Sequence, residues 1–327
     1  MSDKKVLLSV KNLKQYYPVK LNTKSLFPKT GYVKAVDGIS FDVYEGETFG
    51  IVGESGCGKS TTGKMIVKLL TPTEGTIEYN GQDIFNVDKE QEKELKKNIQ
   101  IIFQDPYSSL DPKFTVGRII AEPMLAHGVS AAQRKERVLE LLKEVGIREE
   151  FVNRYPHEFS GGQRQRIGVA RSLALNPKLI VCDEPVSALD VSIQAQILNL
   201  MDDLQKKFDL TYIFISHNLS VVKHVCDRVA VMYLGNIVEL TDKKSLFDKP
   251  MHPYTQALLD AVPVPDPDIK SMSGQLSGDV PSPLNPPSGC CFHTRCKFAT
   301  EQCSQCKPEL REVENGHFVA CHLCDNK

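Results

Sequence analysis

The chain has 327 residues, enough for about two average domains, so one large domain with an appendage and a sizeable buried core is expected. Hydrophobic residues at 41%, charged residues at 25% and aromatic residues at 7% exclude a disordered, collagenous or coiled-coil chain. Lys and Arg number 40 against 41 Asp and Glu, and a net charge of −1 supplies no long-range attraction to nucleic acid or anionic lipid, although it leaves room for a local patch.

No apolar run approaches the roughly 18 to 20 residues that cross a bilayer, and the apolar stretch before Lys11 is too short for a signal peptide. A cytosolic chain is therefore expected. From residue 6 to about 240, short β-branched runs alternate with longer helical patterns, the signature of a parallel sheet covered by helices. Buried strands are predicted at 48–52, 99–103, 179–182 and 211–215, each followed by a polar or glycine-rich turn, where an α/β sheet places its chemistry.

The Lys/Glu-rich segment from Asp88 to Lys97 reads as a solvated face. Between Gln104 and Ser160 the strand signal disappears, and Ser130 with Gln133 forms a capping box ahead of Val138, Leu141, Leu142 and Val145 at helical spacing, with Gly146 as the stop. An inserted helical subdomain over about 106–170 is expected. Beyond about 240 the composition shifts: Pro263, Pro265, Pro267, Pro281, Pro283, Pro286 and Pro287 are seven of the chain's nineteen prolines and read as a stiff linker. It leads to a tail holding seven of ten cysteines, Cys290, Cys291, Cys296, Cys303, Cys306, Cys321 and Cys324. In a chain without an export signal such a cluster suits metal ligation better than a disulfide framework.

Gly53-Glu54-Ser55-Gly56-Cys57-Gly58-Lys59-Ser60 fits G-x-x-x-x-G-K-S between a predicted strand and the helical pattern that begins at Thr61. This is a P-loop: its glycines let backbone N–H groups curl round phosphates, Lys59 reaches the β- and γ-phosphates, and the Ser60 hydroxyl ligates Mg²⁺. Cys57 occupies an unconstrained position of the loop. The strand ending Cys182-Asp183-Glu184 carries two adjacent carboxylates, Asp183 suited to the Mg²⁺ shell and Glu184 to orienting a lytic water.

Three further elements specify which kind of nucleotide hydrolysis. Ser160-Gly161-Gly162-Gln163 resembles the signature of ATP-binding cassette proteins, Gln104 their Q-loop, Ser187 to Asp190 their D-loop, and His217 their switch histidine. Residues 103–112, 184–198, His252-Pro253-Tyr254-Thr255 and the cysteine tail are similar to the oligopeptide and dipeptide importer ATPases, and Pro185-Val186-Ser187 with Phe214 to Leu219 to their F-type subunit. The resemblance implies an α/β fold, a RecA-like P-loop cassette over 1–250 with the helical insert, and a 251–327 extension with the proline linker and cysteine cluster.

It also implies site residues: Tyr17 on adenine, with Tyr16 as the alternative, Gly53 to Thr61 around the phosphates, and Ser60, Gln104 and Asp183 on Mg²⁺. Glu184 handles the water, His217 contacts the γ-phosphate, and Ser160 to Gln163 with Asp190 face the ATP of a partner cassette. The implied partners are a D-type ATPase subunit as heterodimer, two transmembrane permease subunits and, through them, an extracellular peptide-binding protein, at the cytoplasmic face of the membrane. Importers of nickel or other small solutes, and non-transport cassette ATPases, stand as alternatives.

Cys290, Cys296, Cys303 and Cys321 follow the family's Cys-x5-Cys-x6-Cys-x17-Cys spacing, which looks like a [4Fe–4S] ligand set. Cys303-x2-Cys306 and Cys321-x2-Cys324, fourteen residues apart, read taken alone as a zinc site. All-thiolate coordination suits either metal, and unmetallated thiols are the third reading.

Overall fold

Continuous apolar runs make fully buried strands here. In the computed structural model, residues 5–21, 29–261 and 278–324 are described. They fall into two compact units, one built on Tyr44–Thr48 and Ile84–Ile215, the other on Val6–Val43, Phe49–Asp83 and Ser216–Lys327. Prolines 263, 265 and 267 of the expected linker lie outside the described residues.

In chain order, strands β1 (Val6–Leu21), β2 (Lys29–Tyr44) and β3 (Thr48–Val52) precede helix α1 (Lys59–Ile66). Strands β4 (Glu74–Tyr79) and β5 (Gln82–Asp83) follow, then α2 (Lys89–Asn98) and β6 (Ile99–Ile102). No strand interrupts α3 (Val116–Ala126), α4 (Ala131–Glu144) and α5 (Gly161–Ser172), after which come β7 (Leu179–Asp183), α6 (Val191–Phe208) and β8 (Thr211–Ser216). The remainder is α7 (Leu219–Val225), β9 (Arg228–Tyr233), β10 (Asn236–Asp242), α8 (Lys243–Asp248), α9 (Pro253–Asp260), α10 (Glu301–Gln305), β11 (Arg311–Glu314) and β12 (His317–Val319).

In the first unit, β6, β7 and β8 lie parallel in that order, Ile102 opposite Cys182 and Asp183 opposite Ile215. Parallel strands need helical crossovers and are covered on both faces, which is why β7 and β8 are buried at every position. The crossover from β6 to β7 holds α3, α4 and α5. Ser130 caps α4 through the expected box with Gln133, and Gly146 beyond its end takes the left-handed φ of 71°. Helix α2 buries only Leu95, as its charge pattern requires.

The second unit departs from the all-parallel reading. Strands β2, β1, β4 and β5 form a separate sheet in which β1 runs antiparallel to β4, Leu8 opposite Tyr79. Along β1, Leu7, Leu8, Val10 and Leu13 are buried, Lys11 and Asn12 are exposed, and Ser9 and Lys14 are half-buried. Strands β3 and β9 pair parallel, and beyond them β10 and, from the tail, β12 and β11 add antiparallel neighbours.

Candidate nucleotide site

Strand β3 delivers the glycine loop to the start of α1. Gly53 (φ 151°) and Gly58 (φ 107°) are obligatory in this backbone, for a Cβ at either would come within 2.2 Å of a carbonyl oxygen, that of Met232 or of Ala35. Gly58 is also the N-cap of α1 and offers no capping side chain to the first-turn amides. Lys59 is buried, its ammonium donating to the carbonyls of Gly53 at 2.8 Å and Glu54 at 2.9 Å. Ser55 and Gly56 are exposed at the tip, Ser60 and Thr61 half-buried at the helix start. Cys57 is buried, and burial raises its thiol pKa against the pull of Lys59, so it is an inert packing group of the loop.

Glu54 is held from every side. Its amide donates to the Tyr254 hydroxyl at 2.9 Å, its carbonyl accepts from Lys59, and its carboxylate takes both Nη atoms of Arg295 at 2.8 and 3.1 Å. Among the candidate adenine stackers, Tyr17 is exposed on β1, whereas Tyr16 is engaged: its hydroxyl donates to Asp37 and the Lys34 ammonium stands 5.5 Å from its ring centroid.

In the other unit, Asp183 is buried at the end of β7 and Glu184 follows it in the left-handed region, φ 47°, with its amide bonded to the Ile215 carbonyl at 3.0 Å. A non-glycine residue in that conformation carries strain and marks a turn fixed by its surroundings. Gln104 donates from Nε2 to Glu184 Oε2 at 2.9 Å, so two of the residues singled out in the sequence meet across 80 positions.

Ser160 caps α5, accepting from the Gln163 amide while the Gln163 side chain accepts from the Ser160 amide. Gly161 lies against Leu189 and Tyr107, and Gly162 against Ile193, whose Cγ2 would stand 2.5 Å from an added Cβ. The serine-glycine-glycine turn is thus pressed on the segment around Asp190, which itself caps α6 by accepting from the Ile193 amide. Hydrogen bonds from Ser192 and that amide lower the Asp190 pKa. His217 is exposed between β8 and α7.

In the tail, the Cys290 amide donates to the Cys303 carbonyl at 2.8 Å. Burial pushes the Cys290 thiol up to about 11, with the Cys303, Cys291 and Cys296 thiols adding to it, and pushes Cys321 up to about 12, with Cys324, Cys290 and Cys296 adding. The four thiols of the family spacing therefore share one another's fields, while Cys306 is exposed. Among the described residues no three His, Cys, Asp or Glu side chains converge on a point that would hold a single metal ion.

The chain also resembles known proteins over most of its length. Residues 36–187 match the ABC transporter family, and residues 238–303 the oligopeptide/dipeptide transporter C-terminal region. It is 55% identical to the oligopeptide transport ATP-binding protein AppF of Bacillus subtilis (strain 168), covering 98% of both chains. The chain belongs to the peptide-type ABC transporter ATPases. This cassette is also 50% identical to the dipeptide transport ATP-binding protein DppF of Escherichia coli (strain K12), over 98% of this chain and 95% of that one. Among solved structures, the cassette resembles the dimeric post-hydrolysis state of the ATP-binding cassette MJ0796 bound to ADP and Pi, with a TM-score of 0.62 and 27% identity over 72% of this chain and 99% of that one.

Sequence reasoning missed Arg295, Tyr254, Leu189 and Ile193 as neighbours of the glycine turns. Arg295 lies 241 positions from Glu54, and no local pattern announces such a pairing.

Proposed function

We propose that this chain is the ATP-hydrolysing subunit of an importer of oligopeptides or dipeptides, working at the cytoplasmic face of the membrane as one half of a heterodimer with a D-type ATPase subunit. The observation that carries this reading is the joint presence of the cassette and the peptide-transporter C-terminal region in one chain. Among the described residues no helix is long and apolar enough to cross a membrane, so the transmembrane path has to come from permease subunits. A peptide-binding protein outside the cell would deliver the substrate to them.

The chain carries one P-loop and one signature turn, so a second cassette completes two composite sites. Val191, 81% exposed at the start of α6 and next to Asp190, supports a partner surface there. Gly53 to Thr61 with Lys59 hold the phosphates, and Tyr17 stacks on adenine. The Ser60 hydroxyl, the Gln104 carboxamide oxygen and the Asp183 carboxylate would each offer Mg²⁺ the oxygen donor it favours, and the ion when bound would neutralise phosphate charge. Glu184, fixed by Gln104, orients and polarises the attacking water, and His217 reaches the γ-phosphate.

Cys290, Cys296, Cys303 and Cys321 fit a [4Fe–4S] ligand set in donor chemistry, Cys303 and Cys321 buried and Cys290 and Cys296 half-buried, and the cluster would act there as a staple for a tail with little core of its own. Exposed Cys306 argues against the zinc alternative, which needs both C-x-x-C pairs.

Co-purification of the tagged chain with membrane subunits, followed by peptide-stimulated ATPase and labelled-peptide uptake in vesicles, tests the function; recovery of the chain without hydrophobic partners would overturn it. Metal analysis of anaerobically purified chain tests the tail: about four irons and four sulfides per chain support the cluster. Stoichiometric zinc without iron removes it.

A further inference from the structure

The P-loop of this chain contains an anion. Glu54 directly follows Gly53, and its carbonyl is one of the two carbonyls that hold the Lys59 ammonium, so its carboxylate belongs to the loop read as the phosphate loop. Two anions brought to one loop repel unless a countercharge intervenes, and the Glu54 side chain, 24% exposed, is only partly screened by solvent.

The countercharge comes from the cysteine-rich tail. Arg295 sits in the single helical turn His293–Arg295, closed by the bond from the Arg295 amide to the Phe292 carbonyl. Its side chain is only 4% exposed and makes a two-pronged ion pair with Glu54, with a third bond from Nη1 to the Tyr233 hydroxyl at 3.4 Å. Phe292 packs edge-on against Tyr233, centroids 5.2 Å apart, and tilted against Tyr254 at 5.3 Å, so the same aromatic group that steadies the turn supplies the hydroxyl that accepts from the Glu54 amide. A planar guanidinium fork suits this task where a lysine would supply only a point charge.

We propose that Arg295 is a positioning residue of the nucleotide site: it pins the Glu54 carboxylate and cancels its charge, so that the P-loop accepts the triphosphate without an opposing anion. The tail is on this account part of the phosphate-binding apparatus. The inference rests on the reading of Gly53 to Ser60 as the phosphate loop.

The test is MgATP affinity of the full-length chain at low and high salt, with KM and kcat in the assembled transporter. Arg295→Gln is expected to weaken ATP binding about tenfold, more at low salt than at high, and to raise KM with little change in kcat. Arg295→Gln/Glu54→Gln should recover most of that loss, because the uncompensated charge is gone, and Arg295→Lys should fall between wild type and Arg295→Gln. Unchanged affinity in Arg295→Gln, or a double variant as weak as Arg295→Gln, overturns the proposal, the latter because it would mean that Arg295 acts through packing alone. If Arg295→Gln does not fold, Arg295→Lys compared with Arg295→Lys/Glu54→Gln carries the same comparison. Lys59→Ala separates the premises: intact ATP binding there refutes the phosphate-loop reading, whereas loss there with Arg295→Gln unaffected refutes the Arg295 proposal alone.

Discussion

Gln104 donates from its carboxamide to the Glu184 carboxylate at 2.9 Å, joining the end of β6 to the strained turn after β7. The bond fixes a carboxylate that is half-buried and set in a backbone conformation with φ of 47°, so the oxygen that would polarise water has its orientation settled before nucleotide arrives. That arrangement makes the catalytic assignment testable one residue at a time.

Glu184→Gln keeps the shape and the hydrogen-bonding reach of the side chain and removes its charge. It should lower ATP turnover roughly 10²- to 10³-fold while leaving ATP affinity within a small factor. Single-turnover hydrolysis beside equilibrium nucleotide binding checks this, and near-normal hydrolysis would take the role from Glu184.

Lys59→Ala should act on binding first. The lysine is buried and anchored to the Gly53 and Glu54 carbonyls, so its removal takes a preset positive charge from the loop. A loss of about tenfold or more in ATP affinity is expected, measured by titration of the purified chain.

Gly162→Ala places a methyl 2.5 Å from Ile193 Cγ2, between the start of α5 and α6. Overpacking of this kind destabilises by about 1 to 3 kcal/mol, read in denaturant unfolding. Gly162→Ala/Ile193→Ala should regain part of the loss, since the second change clears the space, and an unaltered unfolding midpoint in the single variant would show that the contact relaxes freely.

The acid limb of the stability profile should carry the signature of His252. Burial pushes its imidazole down to about 4 from 6.5, opposed by Glu239; its Nδ1 accepts from the Tyr254 amide and its amide donates to Glu239. Folded and neutral, it binds fewer protons than the unfolded chain between those values, so stability is full above pH 6.5 and declines as pH falls towards 4, by up to about 3 kcal/mol. His252→Asn keeps an acceptor for the cap and should flatten that decline in urea unfolding from pH 7 to 4; an unchanged slope would assign it to other groups.

Much of the chemistry was legible in the chain because it is local. A glycine loop between a buried strand and a helix, two carboxylates at a strand end and a serine box before a helix each occupy a few consecutive residues, so local backbone geometry settles where they stand. The runs 48–52, 179–182 and 211–215 read as strands for the same reason, since full burial on both faces needs an unbroken apolar run, and the strands found are Thr48–Val52, Leu179–Asp183 and Thr211–Ser216. The antiparallel sheet of β1, β2, β4 and β5 escaped the reading because pairing joins strands distant in sequence, and no local pattern says which strands pair.

What the sequence by itself determined is the family and the local motifs: a phosphate-loop pattern, a pair of carboxylates at a strand end and a run of thiols in the tail. Tertiary structure alone decided which of these are held and by what. Arg295 becomes the counterion of Glu54, Ile193 the wall behind Gly162, and Gln104 the anchor of Glu184, each across at least thirty positions of chain. Such pairings depend on how strands and turns are brought together by burial of the core, a long-range and collective effect that leaves no local periodicity to read.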